Sequence, residues 1–543
     1  MRNFLFSPLL FCLAFNFSSH GQMLQVSPLE LNFGNQNEKK LDSLSFTITN
    51  PDASPTDIVI KQPFRVFKSK PFWLKDSAFT LQANESKTVF VYCKILHNTP
   101  NPANLIITSS QNPKSGDHYV RLKCQGNFTK SYYSTTLNLS EEALKQALKT
   151  RLVQNVVSFS YDAARDKMYG QIDNKNDSVT CIYTNRKAKF NTTGSGPSGS
   201  NTANFNCEHT FPQGFFGQGL PMRTDIHHLF STDENANNSR GNLPFGIAKQ
   251  PIDAVAINAP SKRGGGIYEP QDSHKGNCAR AMMYFVLRYQ DYQNFYASAK
   301  QDSVFRAWNA SFLPKPKDTL RNAMIFSEQK NRNPFIDYPQ FAERIKSLLA
   351  NSVSDSIQKL GRSSDQIIYD QSAQDQSIVL WNEGNKRIKV NNFRFANNLS
   401  TFINNSGQNV NLGYNEATKI TFTTPSIAGM LDTLIFNADA PSQNLIKIPI
   451  GFAIVSNLKP KASSKPFIFP NPGSDITFVE NLSEEGQVVK IEVVDIQGKS
   501  IKEFSLENPT GKSQINVSEL ASGLYLIKIL QKSRIDQFKF VKP

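Results

Sequence analysis

Two blocks of short, period-two runs flank a long block with helical periodicity, and that order limits what the chain can become. The first block, residues 24–128, contains LSFTITN (44–50), FTLQA (79–83), TVFVYCKI (88–95), NLIITSS (104–110) and YVRLKCQG (119–126). Side chains alternate across a strand, so each run buries one face, and the turn residues between runs predict a β-sandwich. Between Gln366 and Ser456 the pattern returns, as SIVLWNEG (377–384), KVNNFRF (389–395), VNLGY (410–414), KITFTT (419–424), DTLIFNA (432–438) and IKIPIGFAIV (446–455). Its order repeats the first block. A strand ends in Asn50 or Asn382, and a later polar turn carries Asn84-Glu85 or Asn415-Glu416. This predicts a divergent internal repeat, one sandwich on each side of the helical block.

The middle opens at Ser140, an N-cap residue ahead of EEALKQALKTRLVQNVV, with Leu144, Leu148 and Leu152 on one side. Residues 264–290 turn from a loop into a helix whose apolar face is Ala279, Met282, Met283, Val286 and Tyr289. Further helices are expected around 292–306 and 318–329, and the block ends near Ala350. VTCIYT (179–184) reads as a strand. Asp173 to Asp177 is acidic but lacks EF-hand spacing, so it reads as a solvated turn.

At 543 residues the chain exceeds one core, and roughly three to five domains are expected. MRNFLFSPLLFCLAFNFSSHG has a basic Arg2, an apolar run from Phe4 to Phe15 and small residues at Ser19 and Gly21. It reads as an export signal over 1–21, too short to span a membrane, and predicts a secreted or surface-held protein with no transmembrane helix. Cys12 leaves with it, and an odd set remains: Cys93, Cys124, Cys181, Cys207 and Cys278. Cys93 and Cys124 share a segment and are the expected pair, with Cys207 tied to Cys278 or Cys181. No Cys-x-x-Cys spacing occurs, which argues against a zinc ribbon. A net charge of +15 suits a polyanion, though scattered lysines alone say little.

The chemistry gathers in Asn204–Gly246, which holds three of the seven histidines. Glu208 and His209 are adjacent and point opposite ways on a regular strand, so one site can use both only where the chain bends or the metal sits at the strand's end. Pro212 supplies such a bend. Ser231 and Glu234 form a capping-box pattern, which predicts a short polar helix from Thr232 to Arg240. Its asparagines are poor helix formers, and Asn242 follows where the chain leaves the helix. A carboxylate, an amide oxygen and a histidine make a hard-metal site beside a general base, the set that phosphodiester hydrolysis requires.

CEHTFPQ (207–213), DIHHL (225–229), NNSRGNLPFG (237–246), EPQDSHKGNCAR (269–280) and NRNPFIDYP (331–339), taken in this order, resemble the endonuclease I family of secreted bacterial nucleases. The resemblance covers roughly residues 128–350. It implies a ββα-metal active site in which Glu208 and Asn242 hold a divalent ion, Mg²⁺ with Mn²⁺ or Ca²⁺ as alternatives, and His209 is the general base. Asp225 and His227 would support these residues from behind, and Arg240 or Arg280 would steady the phosphate or serve as a structural ion-pair partner. The implied substrate is DNA, with RNA as a second, cut without sequence preference. This chain departs from the family in placing His228 after His227, where asparagine is frequent, and in a short gap between His209 and Asp225. The longer insertion that carries an arginine in some members has no equivalent.

LELNFGNQ (29–36) resembles the start of immunoglobulin-like domains of bacterial surface proteins. Pro470-Asn471-Pro472, Val494-Asp495-Ile496-Gln497-Gly498-Lys499, Leu520, Gly523-Leu524-Tyr525 and Phe538-Lys539-Phe540-Val541-Lys542 resemble the sorting domain of the type IX secretion system. The expected fold is multidomain: a central α+β ββα-metal nuclease domain flanked by immunoglobulin-like β-sandwiches, plus a small C-terminal all-β domain. Expected boundaries are a signal at 1–21, a sandwich at 22–127, the catalytic domain at 128–350, a second sandwich at 366–456 and the sorting domain at 466–543. Two rival readings stand beside this one. The first is a surface adhesion or binding protein with an inactive nuclease-like domain. The second is a metallohydrolase of non-nucleic substrates, disfavoured because the chain has no His-Glu-x-x-His and no serine-nucleophile arrangement.

Overall fold

The computed structural model describes residues 24–38, 40–61, 70–109, 118–190, 203–250, 253–254, 260–289, 293–369, 375–425, 431–441, 443–452, 467–469, 476–482, 488–495, 499–507, 511–531 and 534–542. The export signal, the Lys459–Lys465 linker and Pro470-Asn471-Pro472 lie outside them. Contacts divide the chain into two units, 1–454 and 455–543.

In the first unit, two β-sandwiches flank a helix-and-strand domain. Gln25–Ser27, Asp42–Thr49, Ser86–Cys93 and Phe72–Leu74 form one sheet in that spatial order. Glu30–Asn37, His118–Asn127, Ala103–Ser109, Thr56–Lys61 and Ala78–Leu81 form the other. Phe46, Ile48, Ile58, Val91, Leu105 and Leu122 fill the space between them. The second sandwich uses the same connectivity. Its sheets run Leu360–Arg362, Asp375–Asn382, Ala417–Thr423, Thr401–Phe402, and Ile367–Tyr369, Leu445–Phe452, Leu431–Ala438, Ile388–Phe395, Val410–Leu412. In both, the second strand lies parallel to the last.

The repeat extends to the residues that suggested it. Asn50 Nδ2 donates to the carbonyl of Leu81, and Asn382 Nδ2 to that of Leu412. Asn84 and Asn415 both have positive φ, 58° and 55°. In the turns they form, Glu85 accepts from the Gln82 amide and Glu416 from the Gly413 amide. A buried asparagine that satisfies distant backbone groups survives sequence drift, because those groups would otherwise be orphaned. Ile106 meets Val379 and Trp381 where the two sandwiches touch, and Asn415 Nδ2 donates to the Pro102 carbonyl at 2.8 Å.

Ser140 precedes the helix Glu141–Val153, whose Leu144, Leu148 and Leu152 are buried as expected. Asp272–Tyr289 runs through the middle of the domain and is buried on nearly every side, not only along its apolar stripe. The expected 292–306 helix is broken. Ala299 and Lys300 have φ of 52° and 57°, and a new helix, Gln301–Ser311, begins there. Pro316–Gln329 is capped by Asp318, which accepts from the Lys315 amide at 2.8 Å.

Two expectations are corrected. The strand read at 179–184 covers only Ser178–Thr180. The chain then turns, because the Ile182 amide bonds to the Ser231 carbonyl at 3.1 Å and the Cys181 sulfur accepts from the amides of Tyr183 and Asp233. Cys181, Cys207 and Cys278 also make no disulfide with one another. The expected Cys93–Cys124 pair is not a disulfide either: the two sulfurs, from opposite sheets of the first sandwich, face each other at 3.8 Å as a hydrogen bond.

The second unit is all-β. Phe467–Phe469, Ile476–Leu482 and Gly511–Asn516 form a three-stranded sheet. Ser500–Glu507, Val488–Val494, Gly523–Gln531 and Arg534–Lys542 form a four-stranded antiparallel sheet. Its core includes Val479, Ile491, Val493, Ile527, Ile529 and Phe540. Among the described residues no helix is long and apolar enough to cross a membrane.

Arg344 joins the first sandwich to the central domain. Its buried guanidinium donates to Asn98 Oδ1 and to the carbonyls of Thr136 and Leu139. Arg344→Ala removes the donor to buried Asn98 Oδ1 and to the Leu139 carbonyl and is expected to cost about 3 kcal/mol, read as a lower urea midpoint for the unit.

Candidate functional site

Phe205–His209 and Leu229–Asp233 form an antiparallel hairpin, with Glu208 opposite Phe230 and His209 opposite Leu229. The helix Glu234–Arg240 follows directly. Its cap is Asp233, which accepts from the Ala236 amide at 3.2 Å, and not Ser231, which stays in the strand. The expected helix start at Thr232 is therefore two residues early, because pairing with Phe205 holds the strand as far as Asp233. Gly241, at φ 52°, releases the chain, and Asn242 follows, exposed.

Arg240 ties this ββα unit together. Its Nη1 donates to the carbonyls of His209 (3.3 Å) and Gly241 (3.1 Å), and its Nη2 to that of Thr210 (2.7 Å). Nη1 also lies 3.4 Å from Glu208 Oε1, with both side chains 1% exposed. Tyr183 donates its hydroxyl to the same oxygen at 2.7 Å. Burial raises the Glu208 pKa against the opposing pull of Arg240 and Tyr183. Among the described residues no donor reaches Oε2, so the carboxylate keeps a hard oxygen for a cation.

His209 meets different neighbours, as strand alternation requires. Its ring lies near Tyr161, Phe216 and His228. Its Nε2 is 3.0 Å from the Arg223 carbonyl. A carbonyl only accepts, so Nε2 carries a hydrogen there, and the Cys207 backbone also bonds the ring. Burial, then His228, pushes the His209 pKa down to about 3, so the ring is neutral at ordinary pH.

Asp225 is buried and saturated. Its Oδ2 accepts from Arg288, Tyr284 and Tyr289, and its Oδ1 from Gln329 and the His227 amide. Burial pushes its carboxyl upward, but Arg288, with His227, His228 and Gln329, holds it well below the usual range. His227 and His228 each place Nε2 on a carbonyl, of Asn331 (3.1 Å) and Met222 (2.7 Å).

The structure thus gathers Glu208, His209, Arg240 and Asn242 on one unit, with Asp225 and His227 behind its second strand. Asn242 lies against the turn that follows His209, since a Cβ on Gly214 would stand 3.4 Å from its Nδ2. Arg280 is not brought there. Its buried guanidinium donates to the Phe312 carbonyl and to Asn277. Sequence reasoning missed Tyr183, hidden in a run read as strand, and Arg288. The spacing of Tyr284 and Arg288, four apart on one helix face, was the available signal. Among the described residues no three His, Cys, Asp or Glu side chains converge as a metal cage. One carboxylate and one amide fit a hard ion that keeps several waters. A cavity of about 690 Å³, lined by Leu96, Arg306, Leu313 and Ile357 among others, shares no residue with the ββα unit.

Residues 140–340 match the family described as Endonuclease I, and residues 467–542 match the Secretion system C-terminal sorting domain. An extracellular ribonuclease of Bacillus amyloliquefaciens is 29% identical over 240 residues, covering 40% of this chain and 78% of that protein. One from Bacillus subtilis (strain 168) is 29% identical over 235 residues, with the same shares. Endonuclease-1 of Buchnera aphidicola subsp. Baizongia pistaciae is 27% identical over 122 residues, covering 21% of this chain and 46% of that protein. The protein is therefore a secreted, metal-dependent nuclease. Its central domain belongs to the endonuclease I family, and its last segment is a type IX secretion sorting domain.

Burial lowers the pKa of His118, His209 and His274 to about 3 and of His227 to about 4, and also lowers those of His97 and His228. Unfolded, these groups titrate near 6.5. Below that pH the unfolded chain takes up protons that the folded chain refuses, so the stability present at neutral pH is lost as pH falls from 6.5 toward 4. The urea midpoint is expected to drop between pH 7.5 and pH 5. The drop is expected to be shallower in His274→Gln, which removes one such group.

Proposed function

We propose that the protein hydrolyses phosphodiester bonds of DNA, and of RNA as a second substrate, without sequence preference, leaving 5′-phosphate and 3′-hydroxyl ends. The carrying observation is the ββα unit itself, in which Arg240 fixes the end of the His209 strand and the helix exit at Gly241, one residue before Asn242, and lies against the buried Glu208. Glu208 and Asn242 would hold the divalent ion, Mg²⁺ first, with Mn²⁺ and Ca²⁺ chemically admissible. A bound ion there supplies Lewis-acid stabilisation of the charge developing on the phosphate and leaving oxygens.

His209 acts as general base, taking a proton from the attacking water, while the Arg223 carbonyl holds its ring plane. Tyr183 and Arg240 orient Glu208. Arg240 is a positioning residue here and not a grip on phosphate, because its two terminal nitrogens are held on backbone carbonyls and the side chain is buried. Asp225 holds the start of the second strand against the central helix, and His227 holds it against the chain at Asn331. RNA joins DNA as a substrate because two of the relatives are ribonucleases by name. Nothing in the chain resembles a base-reading element, and the charge of +15 suits contact with the phosphate backbone.

Purified protein is expected to degrade plasmid DNA and RNA in Mg²⁺ and to stop completely in EDTA. His209→Ala is expected to lower the rate about 10²- to 10⁴-fold. Glu208→Gln and Asn242→Ala are expected to lose as much, since one ion does the work. Cutting in EDTA, or a His209→Ala protein as fast as the parent, overturns the assignment.

A further inference from the structure

Beside the ββα unit stands an aromatic side chain that neither the core nor the chemistry uses. Phe215 is 47% exposed although it lies in the turn directly after the His209 strand. One face of its ring is stacked on Phe295, with centroids 4.4 Å apart and planes at 23°. With about half of the residue exposed, part of the ring stays accessible to solvent.

The platform is rigid. Phe295 is buried, and Phe211 meets its edge at 5.4 Å. The Phe295 carbonyl accepts from Gln301 Nε2, and Gln301 Oε1 in turn accepts from the Phe245 amide at 2.8 Å, three residues past Asn242. The Phe215 amide is bonded to the Pro212 carbonyl at 3.1 Å. The preceding residue, Gly214, is the one whose Cβ direction points at Asn242 Nδ2, 3.4 Å away. A half-exposed ring, stacked on a buried neighbour, therefore follows directly on the residue that lies against the proposed metal-ligand asparagine.

We infer that Phe215 is a stacking platform for a nucleobase flanking the scissile phosphate, so that the site takes strands with unstacked bases, single-stranded DNA or RNA, ahead of intact duplex. This rests on the assignment of Glu208, His209 and Asn242 as the cutting site. Every base has a π-face, so stacking is indifferent to sequence, which suits a nuclease guided by the backbone. A base in a duplex is already stacked on both sides and reaches the ring only by leaving its neighbours.

The test measures binding by fluorescence anisotropy, with the full-length protein in EDTA and two labelled probes: an oligothymidylate, and an oligonucleotide of equal length with abasic sites. Phe215→Ala is expected to weaken oligothymidylate binding about tenfold and to leave the abasic probe unchanged. Phe215→Leu, which keeps apolar bulk without a π-face, is expected to behave like Phe215→Ala, and Phe215→Trp to bind at least as tightly as the parent. Equal weakening on both probes, or a Phe215→Leu protein that binds like the parent, overturns the platform. Binding is read without turnover, so it stands apart from the cutting assay. A nuclease that loses activity in His209→Ala yet shows no base-dependent loss in Phe215→Ala refutes the platform alone.

Discussion

The buried guanidinium of Arg240 is the interaction on which the rest of the site depends. A charge removed from water is tolerated only where its donors find acceptors, and here three carbonyls and a carboxylate surround it. Two of those carbonyls belong to the end of the first strand and one to the exit of the helix. The strand end, the helix end and Glu208 therefore cannot shift independently. Phe245 closes the arrangement, with its ring 4.5 Å from the guanidinium carbon. A chain segment rich in asparagine, with little helical preference of its own, is held as a helix by the tertiary demands of one arginine.

A second buried charge does similar work behind the hairpin. Asp225 collects donors from the central helix and from the helix ending at Gln329, which seats the start of the second strand on both. The histidines that follow are each fixed on a backbone carbonyl, as His209 is on that of Arg223. Neutral, oriented imidazoles are what such an environment favours, since burial penalises the charged ring. His227 and His228, conspicuous in the sequence, are thereby buried and each held on a backbone carbonyl.

The flanking sandwiches were largely legible in advance. Period-two runs and the paired Asn and Asn-Glu positions were enough to expect a repeat, because those side chains serve backbone groups whose need does not change between copies. Contact between the copies was not legible. Ile106 and Trp381 read as ordinary strand residues until the fold sets them face to face. In the central domain, the buried leucines of the first helix followed from spacing, whereas the break at Ala299 and Lys300 did not, since nothing local forbids a continuous helix there.

For the site, sequence by itself determined the chemical types and their order: a carboxylate and a histidine at a strand's end, a polar helix, and an asparagine past its last glycine. Adjacent residues on a strand point apart, however, and no spacing rule says whether they serve one centre. Only the tertiary structure decided that Arg240 closes on Glu208, that Tyr183 leaves its strand to reach the same oxygen, and that Arg280 belongs elsewhere. Those are contacts between residues 25 to 32 positions apart. They depend on where buried charges and hydroxyls find partners, which is a property of the packed molecule and not of any local pattern.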